Sequence, residues 1–132
     1  MPAPLGKTPT RKMPDVQVFG RDDSAATRAA LRFFRERRVV VHYVDIRKRG
    51  LAPSELQRFT QRFGATALLD PAARPYRDQG LAHLTLDEAG IVARLLADQR
   101  LLRLPLARHG NQVTVGVDEP TWTTWLRLAT GP

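Results

Sequence analysis

The hydrophobic pattern begins with two short apolar runs on either side of an amphipathic segment. "VQVF", residues 16–19, predicts a strand that ends at Gly20, and "VVVHYVDI", residues 39–46, is a β-branched run that predicts a buried strand. Between them, from Ser24 onward, apolar residues recur at helical spacing on one face: Ala26, Ala30, Phe33 and Phe34. The order strand–helix–strand predicts a right-handed βαβ unit with parallel strands.

Helical signals dominate the middle of the chain. "PSELQRFTQRF" predicts a helix that begins at Pro53 and ends before Gly64. Residues 65–82 are interrupted by prolines and predict short helical turns. Thr85 with Glu88 three positions later predicts a capping box for the next helix. The expected buried face of that helix contains Ile91, Val92, Leu95 and Leu96.

The last third predicts a hairpin and a closing helix. "LLRLPLA" and "QVTVGV" are extended segments around the turn residues "RHGN", and "DEPTWTTWLRL" is a helix that carries Trp122 and Trp125. The complete order is β-α-β, an all-helical insert and β-β-α. It predicts an α/β fold with a thioredoxin-like, four-stranded mixed sheet and flanking helices. We expect residues 16–132 to form this single domain and the Pro-rich residues 1–15 to be a disordered tail.

Composition excludes several kinds of chemistry. The 132 residues contain no cysteine, which removes disulfides, thiolate metal ligands and thiol redox chemistry. The three histidines lie far apart in sequence, so we expect no metal site. No apolar run approaches the ~20 residues of a membrane span, and the N-terminus lacks the apolar core of a signal peptide. We therefore expect a cytoplasmic protein without a membrane partner.

Positive charge is concentrated in one part of the chain. The net charge is +8, and residues 28–49 contribute eight basic side chains: Arg28, Arg32, Arg35, Arg37, Arg38, Arg47, Lys48 and Arg49. Such a cluster can attract nucleic acid or an acidic protein surface, but it can also be a solubilising surface. Phe33 and Phe34 fall on the opposite, buried helix face, so no base-stacking platform accompanies the cluster. We therefore favour a solubilising surface and do not expect a nucleic-acid partner.

Three stretches resemble a known family in their order and spacing. They are "VVVHYVDIRKRGLAPSEL", "ATALLDPAARPYRDQGLA" and "LLRLPLARHGNQVTVGVDE". They are similar to the glutaredoxin-linked arsenate reductase family, ArsC, which also includes the Spx regulators, and the similarity covers nearly all of residues 16–129. The resemblance implies a thioredoxin-like fold with a cis peptide bond before Pro105, facing the reactive loop. The alternative for Pro105 is an ordinary trans proline at the start of a strand.

The resemblance also implies where the reactive loop lies and shows that it is altered. In the family, a catalytic cysteine lies at the helix N-terminus after the first strand. That position is Ser24 here, while Thr27 and Arg28 match the residues that follow it. A serine hydroxyl has no accessible two-electron couple, and its pKa lies far above the ~8.5 of a thiol. The sequence therefore predicts that thiol chemistry is lost. For Ser24 it favours a helix N-cap, worth ~1 kcal/mol, over the alternative of a catalytic serine.

Two arginines of the reductases are also replaced. Their positions are occupied by Asp70 and Leu104. Arg103 comes directly before Leu104, so on a strand the Arg103 side chain points to the opposite face from the lost arginine. Arg74, four residues from Asp70, could swing toward the loop. Whether Arg74 or Arg103 substitutes for the missing arginines is left open.

Anion binding is the part of the site that the sequence retains best. Arsenate, phosphate or sulfate could be held by three kinds of donor. These are the backbone N–H groups at the helix start, the hydroxyls of Ser24 and Thr27, and the nearby arginines. Asp22 and Asp23 place negative charge beside the loop, so we expect weak affinity. The candidate anion-binding residues are Ser24, Ala25, Ala26, Thr27, Arg28, Arg74 and Arg103.

Three functions are compatible with these residues. The first is a relative of the reductases without redox chemistry that binds an oxyanion or a protein. The second is a cysteine-less arsenate reductase that holds no cofactor and uses glutathione and glutaredoxin as external reductants. The third is a regulator similar to Spx that contacts RNA polymerase through residues 28–49. We favour the first.

Overall fold

The computed structural model describes residues 15–130, with side chains described up to Arg127. The predicted tail therefore lies outside the described residues, except for Asp15, which begins the first strand. The sheet has the order β2-β1-β3-β4, with β1 parallel to β2 and antiparallel to β3. Its strands are β1 (Asp15–Gly20), β2 (Val40–Asp45), β3 (Leu106–His109) and β4 (Gln112–Val115). The predicted four-stranded mixed sheet is confirmed.

Five α-helices cover the two faces of this sheet. They are α1 (Ala25–Glu36), α2 (Pro53–Phe63), α3 (Arg74–Asp78), α4 (Glu88–Ala97) and α5 (Glu119–Thr130). Short 3₁₀ turns at Thr66–Leu68, Leu81–His83 and Gln99–Leu101 complete the predicted helical insert. One core cluster joins α1 and α5 to the sheet, and a second joins the insert to the opposite face. The sheet is therefore the middle layer of three, as an α/β fold requires.

Each core cluster is built around aromatic side chains. On the α1 face, the Phe34 ring lies 4.9 Å from the Trp122 ring of α5, and Trp122 and Trp125 are both fully buried. On the other face, Phe19 of β1 meets Phe59 of α2 edge to face at 6.1 Å. Trp122 also donates a hydrogen bond from Nε1 to the Thr114 hydroxyl at 2.8 Å, which ties α5 to β4. The last helix is therefore attached to the sheet through two buried tryptophans.

The second strand is less buried than its sequence predicts. β2 is an edge strand, and Val40 is 51% exposed. A β-branched run indicates that a segment forms a strand. Whether that strand has a neighbouring strand on both sides, and so how buried it is, depends on where the other strands pair. The expectation of a buried strand was wrong for this reason.

The predicted capping box at Thr85 is also wrong. α4 begins two residues later, and Asp87 is its N-cap, with Oδ1 accepting a hydrogen bond from Gly90 N at 2.8 Å. Glu88 instead accepts hydrogen bonds from Ala65 N at 3.0 and 3.2 Å, so it ties α4 to the segment that follows α2. Within residues 15–130, every helix is too short or too polar to cross a bilayer.

Candidate functional site

The loop between β1 and α1 is held tightly by local contacts. A Cβ at Gly20 would collide with Cγ2 and Oγ1 of Thr27, so glycine permits the loop to fold back on the helix. The Thr27 hydroxyl is buried there and accepts a hydrogen bond from Arg21 N at 3.4 Å. Ser24 has extended backbone angles, and its Oγ accepts from Thr27 N at 3.1 Å. The predicted N-cap is confirmed, and the N–H groups of Ala25 and Ala26 have no intrahelical acceptor.

A cavity of about 450 Å³ opens beside this helix N-terminus. Ser24 and Ala26 form part of its wall, and the segment that precedes α3 forms another part. Its charged wall residues are Arg21, Arg74, Arg100 and Asp70. Three of these four side chains are positively charged, and we call the cavity the arginine pocket. Positive charge in a cleft attracts an anion, and each arginine also lies close to an aspartate outside the lining: Asp23, Asp78 and Asp98.

The three arginines differ in how firmly they are held. Arg100 donates from Nε and Nη2 to the Asp98 carboxylate at 2.9 and 2.7 Å, and this bond lowers the pKa of Asp98. Arg74 is at the rim, with a side chain 85% exposed and Nε 3.8 Å from Asp78. The Nε of Arg21 is buried and has no hydrogen-bond partner among the described residues. Asp23 Oδ1 lies 3.2 Å from it without the geometry of a hydrogen bond.

The acidic residue that would repel an anion in the pocket is not one of the two that the sequence indicated. Among the described residues that line the arginine pocket, Asp22 and Asp23 are absent and Asp70 is present. Asp22 Oδ1 accepts from the Tyr43 hydroxyl at 2.8 Å, and burial together with this bond raises the pKa of Tyr43. Asp70 Oδ1 accepts from Ala72 N at 2.9 Å, which shapes the turn before α3.

The structure brings only some of the predicted residues to the pocket. Ser24, Ala26 and Arg74 line it, whereas Ala25, Thr27, Arg28 and Arg103 do not. Exposed Arg28 instead braces the loop, because its Nη1 donates to the Asp22 carbonyl at 2.9 Å.

The chain before β3 explains the position of Arg103. Leu102 and Leu104 both face the pocket, so Arg103 between them points away, as side chains alternate along an extended chain. The predicted cis peptide bond between Leu104 and Pro105 is present.

Sequence reasoning missed Arg21 and Arg100. Arg21 had a local signal, since it lies directly after Gly20 in the loop that carries Ser24. Arg100 had none, because the 3₁₀ turn Gln99–Leu101 reaches the pocket only once the insert has folded back beside α3.

The chemistry available at Ser24 is limited. Within the described residues that line the pocket there is no histidine, so no imidazole base is positioned to take the Ser24 proton. The described part of the chain also contains no cluster of three or more His, Asp or Glu residues that could hold a metal ion. The arrangement supplies donors and positive charge, which bind anions, and it supplies no nucleophile.

Comparisons with known proteins agree on one family and one fold. The model of the ArsC family matches residues 19–125. The YffB (PA3664) protein has a similar structure, with a TM-score of 0.78 and 20% identity over 85% of this chain and 99% of its own. An arsenate reductase from Vibrio cholerae superposes with a TM-score of 0.71 and 14% identity over 79% and 91%. An arsenate reductase (ArsC) related protein from Brucella melitensis gives 0.63 and 19% identity over 83% and 92%. A search of curated sequences finds no match.

Proposed function

Because the chain belongs to the ArsC family, we propose that it is a non-redox member that binds a tetrahedral oxyanion in the arginine pocket. One observation carries the proposal: a helix N-terminus and three arginines surround one pocket in a protein that has no cysteine. The ligand class is phosphate, sulfate or arsenate, which share shape and charge.

The donors around the pocket support binding of such an anion. Ala26, which lines the pocket, has a free N–H group at the positive end of α1, and this end favours negative charge. Arg100 is oriented by Asp98, so part of the cost of ordering its side chain is already met in the free protein. The buried Nε of Arg21 forms no hydrogen bond among the described residues, and the Arg21 side chain adds positive charge to the pocket wall.

The same site argues against arsenate reduction by this protein. Reduction of arsenate to arsenite transfers two electrons, and the serine oxygen at position 24 cannot take part in that transfer. The Ser24 hydroxyl is already used as the helix cap. Structural similarity to the arsenate reductase from Vibrio cholerae, at 14% identity, extends to the fold alone.

Calorimetric titration with phosphate, sulfate and arsenate tests the binding. We expect saturable 1:1 binding that weakens with added salt, because exposed charges are screened. Arg21→Gln should weaken it at least about threefold, since a charge-assisted hydrogen bond is lost. Arg32→Gln, an exposed change on α1 that removes the same charge outside the pocket, should not. An equal loss of anion affinity in both variants would show that binding depends only on net charge, and this would contradict the proposal.

A reduction assay tests the absence of redox chemistry. Purified protein is incubated with arsenate, glutathione and glutaredoxin, and arsenite is measured against a mixture without the protein. We expect the two rates to be equal. A higher rate that disappears in Ser24→Ala would mean that the protein is a reductase after all.

A further inference from the structure

We propose that a second cavity, in the helical insert, binds a small carboxylic acid with an apolar body. This proposal goes beyond the oxyanion function and does not depend on it. The cavity has a volume of about 360 Å³ and lies between α4 and the segments before and after α3. We call it the insert pocket. Its size falls at the lower end of the range for small-molecule sites.

Six of the ten residues that line the insert pocket are apolar, and Thr66, Tyr76 and Thr85 are polar but uncharged. Leu69 and Leu81 lie on one part of the wall, and Ile91 of α4 lies on another. Leu84 forms part of the rim and is 43% exposed, which is unusual for a large apolar side chain in this protein. An apolar ligand body would cover Leu84 and remove it from water, which is favourable in proportion to the area buried.

Arg94 supplies one positive charge to this apolar wall. The residue is half-buried and lines the cavity. Its Nη1 donates to Gln79 Oε1 at 3.3 Å, and Gln79 in turn donates from Nε2 to Asp98 at 3.0 Å. Asp98 is itself held by Arg100, and within the described residues Arg94 forms no ion pair. A half-buried guanidinium without a carboxylate partner retains donors for an anion.

These two features together select the ligand class. An apolar wall requires an apolar body, and one unpaired guanidinium fits one carboxylate, which Arg binds through two parallel hydrogen bonds. A free inorganic anion would leave the leucine wall in contact with water. A neutral apolar molecule would leave Arg94 unpaired. The pocket size limits the body to a single or fused ring or a short branched chain.

The fluorescent acid 2-naphthoate is a suitable probe, with the neutral 2-naphthamide as its matched comparison. We expect saturable binding of naphthoate and binding of naphthamide that is about tenfold weaker, since the charge-assisted pair is missing. Arg94→Gln should lower naphthoate affinity about tenfold and leave naphthamide affinity unchanged. Unchanged naphthamide binding also shows that the variant is folded. Arg32→Gln removes the same charge on α1 and should change neither affinity.

Three results would overturn the proposal. The first is equal affinity for the acid and the amide. The second is an equal loss in Arg94→Gln and Arg32→Gln. The third is a loss of naphthoate binding in Arg21→Gln but not in Arg94→Gln, which would place the acid in the arginine pocket. If Arg21→Gln loses phosphate binding but keeps naphthoate binding, the two ligands occupy separate sites. That result would support the insert pocket as the naphthoate site.

Discussion

At the scale of single residues, Ser24 and Asp70 define what the arginine pocket can do. Ser24 caps α1 through its bond to Thr27 N, a role that N-cap preferences allow one to predict from sequence. Asp70 faces the pocket, and its carboxylate is the negative charge that a bound anion would meet. The predicted obstacle, Asp22 and Asp23, does not line the pocket. Asp22 accepts a hydrogen bond from Tyr43, and Asp23 forms an ion pair at 3.2 Å with Arg21, which is itself a wall residue.

Neutralising Asp70 should therefore strengthen anion binding. Asp70→Asn keeps the oxygen that accepts from Ala72 N but removes the charge. At an effective dielectric of ~80, a like charge 4 Å away costs about 1 kcal/mol, so we expect phosphate affinity to rise about fivefold. Calorimetry measures this, with Glu36→Gln, at the far end of α1, as the control for net charge. Unchanged or weaker phosphate binding in Asp70→Asn would mean that the anion lies elsewhere.

At the scale of elements, the identities of helices and strands followed from local patterns, while one helix start and the pairing of the strands did not. α2 begins at Pro53 and ends at Phe63, as predicted, because proline and glycine act on the backbone directly. The start of α4 was predicted two residues too early, since Thr85 and Asp87 are both acceptable N-caps. The contact of Glu88 with Ala65 N, 23 residues away, favours the later start, and no local pattern contains it.

This difference gives a direct test of the α4 cap. Asp87→Ala removes the acceptor of the Gly90 N–H and should lower the free energy of unfolding by about 1 kcal/mol. Thr85→Ala should change it by less than about 0.5 kcal/mol, because Thr85 precedes the helix without capping it. Urea unfolding of both variants measures the two values. A larger loss in Thr85→Ala would restore the capping box that the sequence suggested.

At the scale of the whole molecule, the arginine pocket depends on long-range folding. Arg21 follows β1, Arg74 begins α3 and Arg100 lies before β3, so about eighty residues separate the outer two. The parallel pairing of β1 with β2 and the central position of β1 place the α1 N-terminus beside the insert. A pocket of this kind lies where elements distant in sequence meet.

Carboxylates across the molecule should make its stability fall in acid. The pKa of Asp45 is lowered mainly by its hydrogen bond from the Arg47 backbone, and those of Glu55 and Asp98 by side-chain bonds from arginines. A lowered folded-state pKa contributes stability that is complete above the ordinary carboxyl value of about 4 and is lost as pH falls through the folded-state value.

We therefore expect the free energy of unfolding to decrease below about pH 4. Urea unfolding at a series of pH values measures this dependence, and Asp98→Asn should make it shallower because one of the three carboxylates is removed. Glu36→Gln, an exposed change, should keep the slope of the parent protein. A stability that is constant down to about pH 3 would contradict this account.

The sequence by itself determined the order of helices and strands, the mixed sheet and the loss of thiol chemistry. These follow from local periodicity, from the chemistry of single side chains and from resemblance spread along the chain. The tertiary structure alone decided that β2 is an edge strand and that Arg100 and Arg21 rather than Arg103 and Arg28 line the pocket. It also decided that Arg94 lines a second cavity, where it has no ion-pair partner among the described residues. The physical reason is that side-chain direction and charge pairing depend on contacts between segments far apart in sequence, which local patterns do not contain.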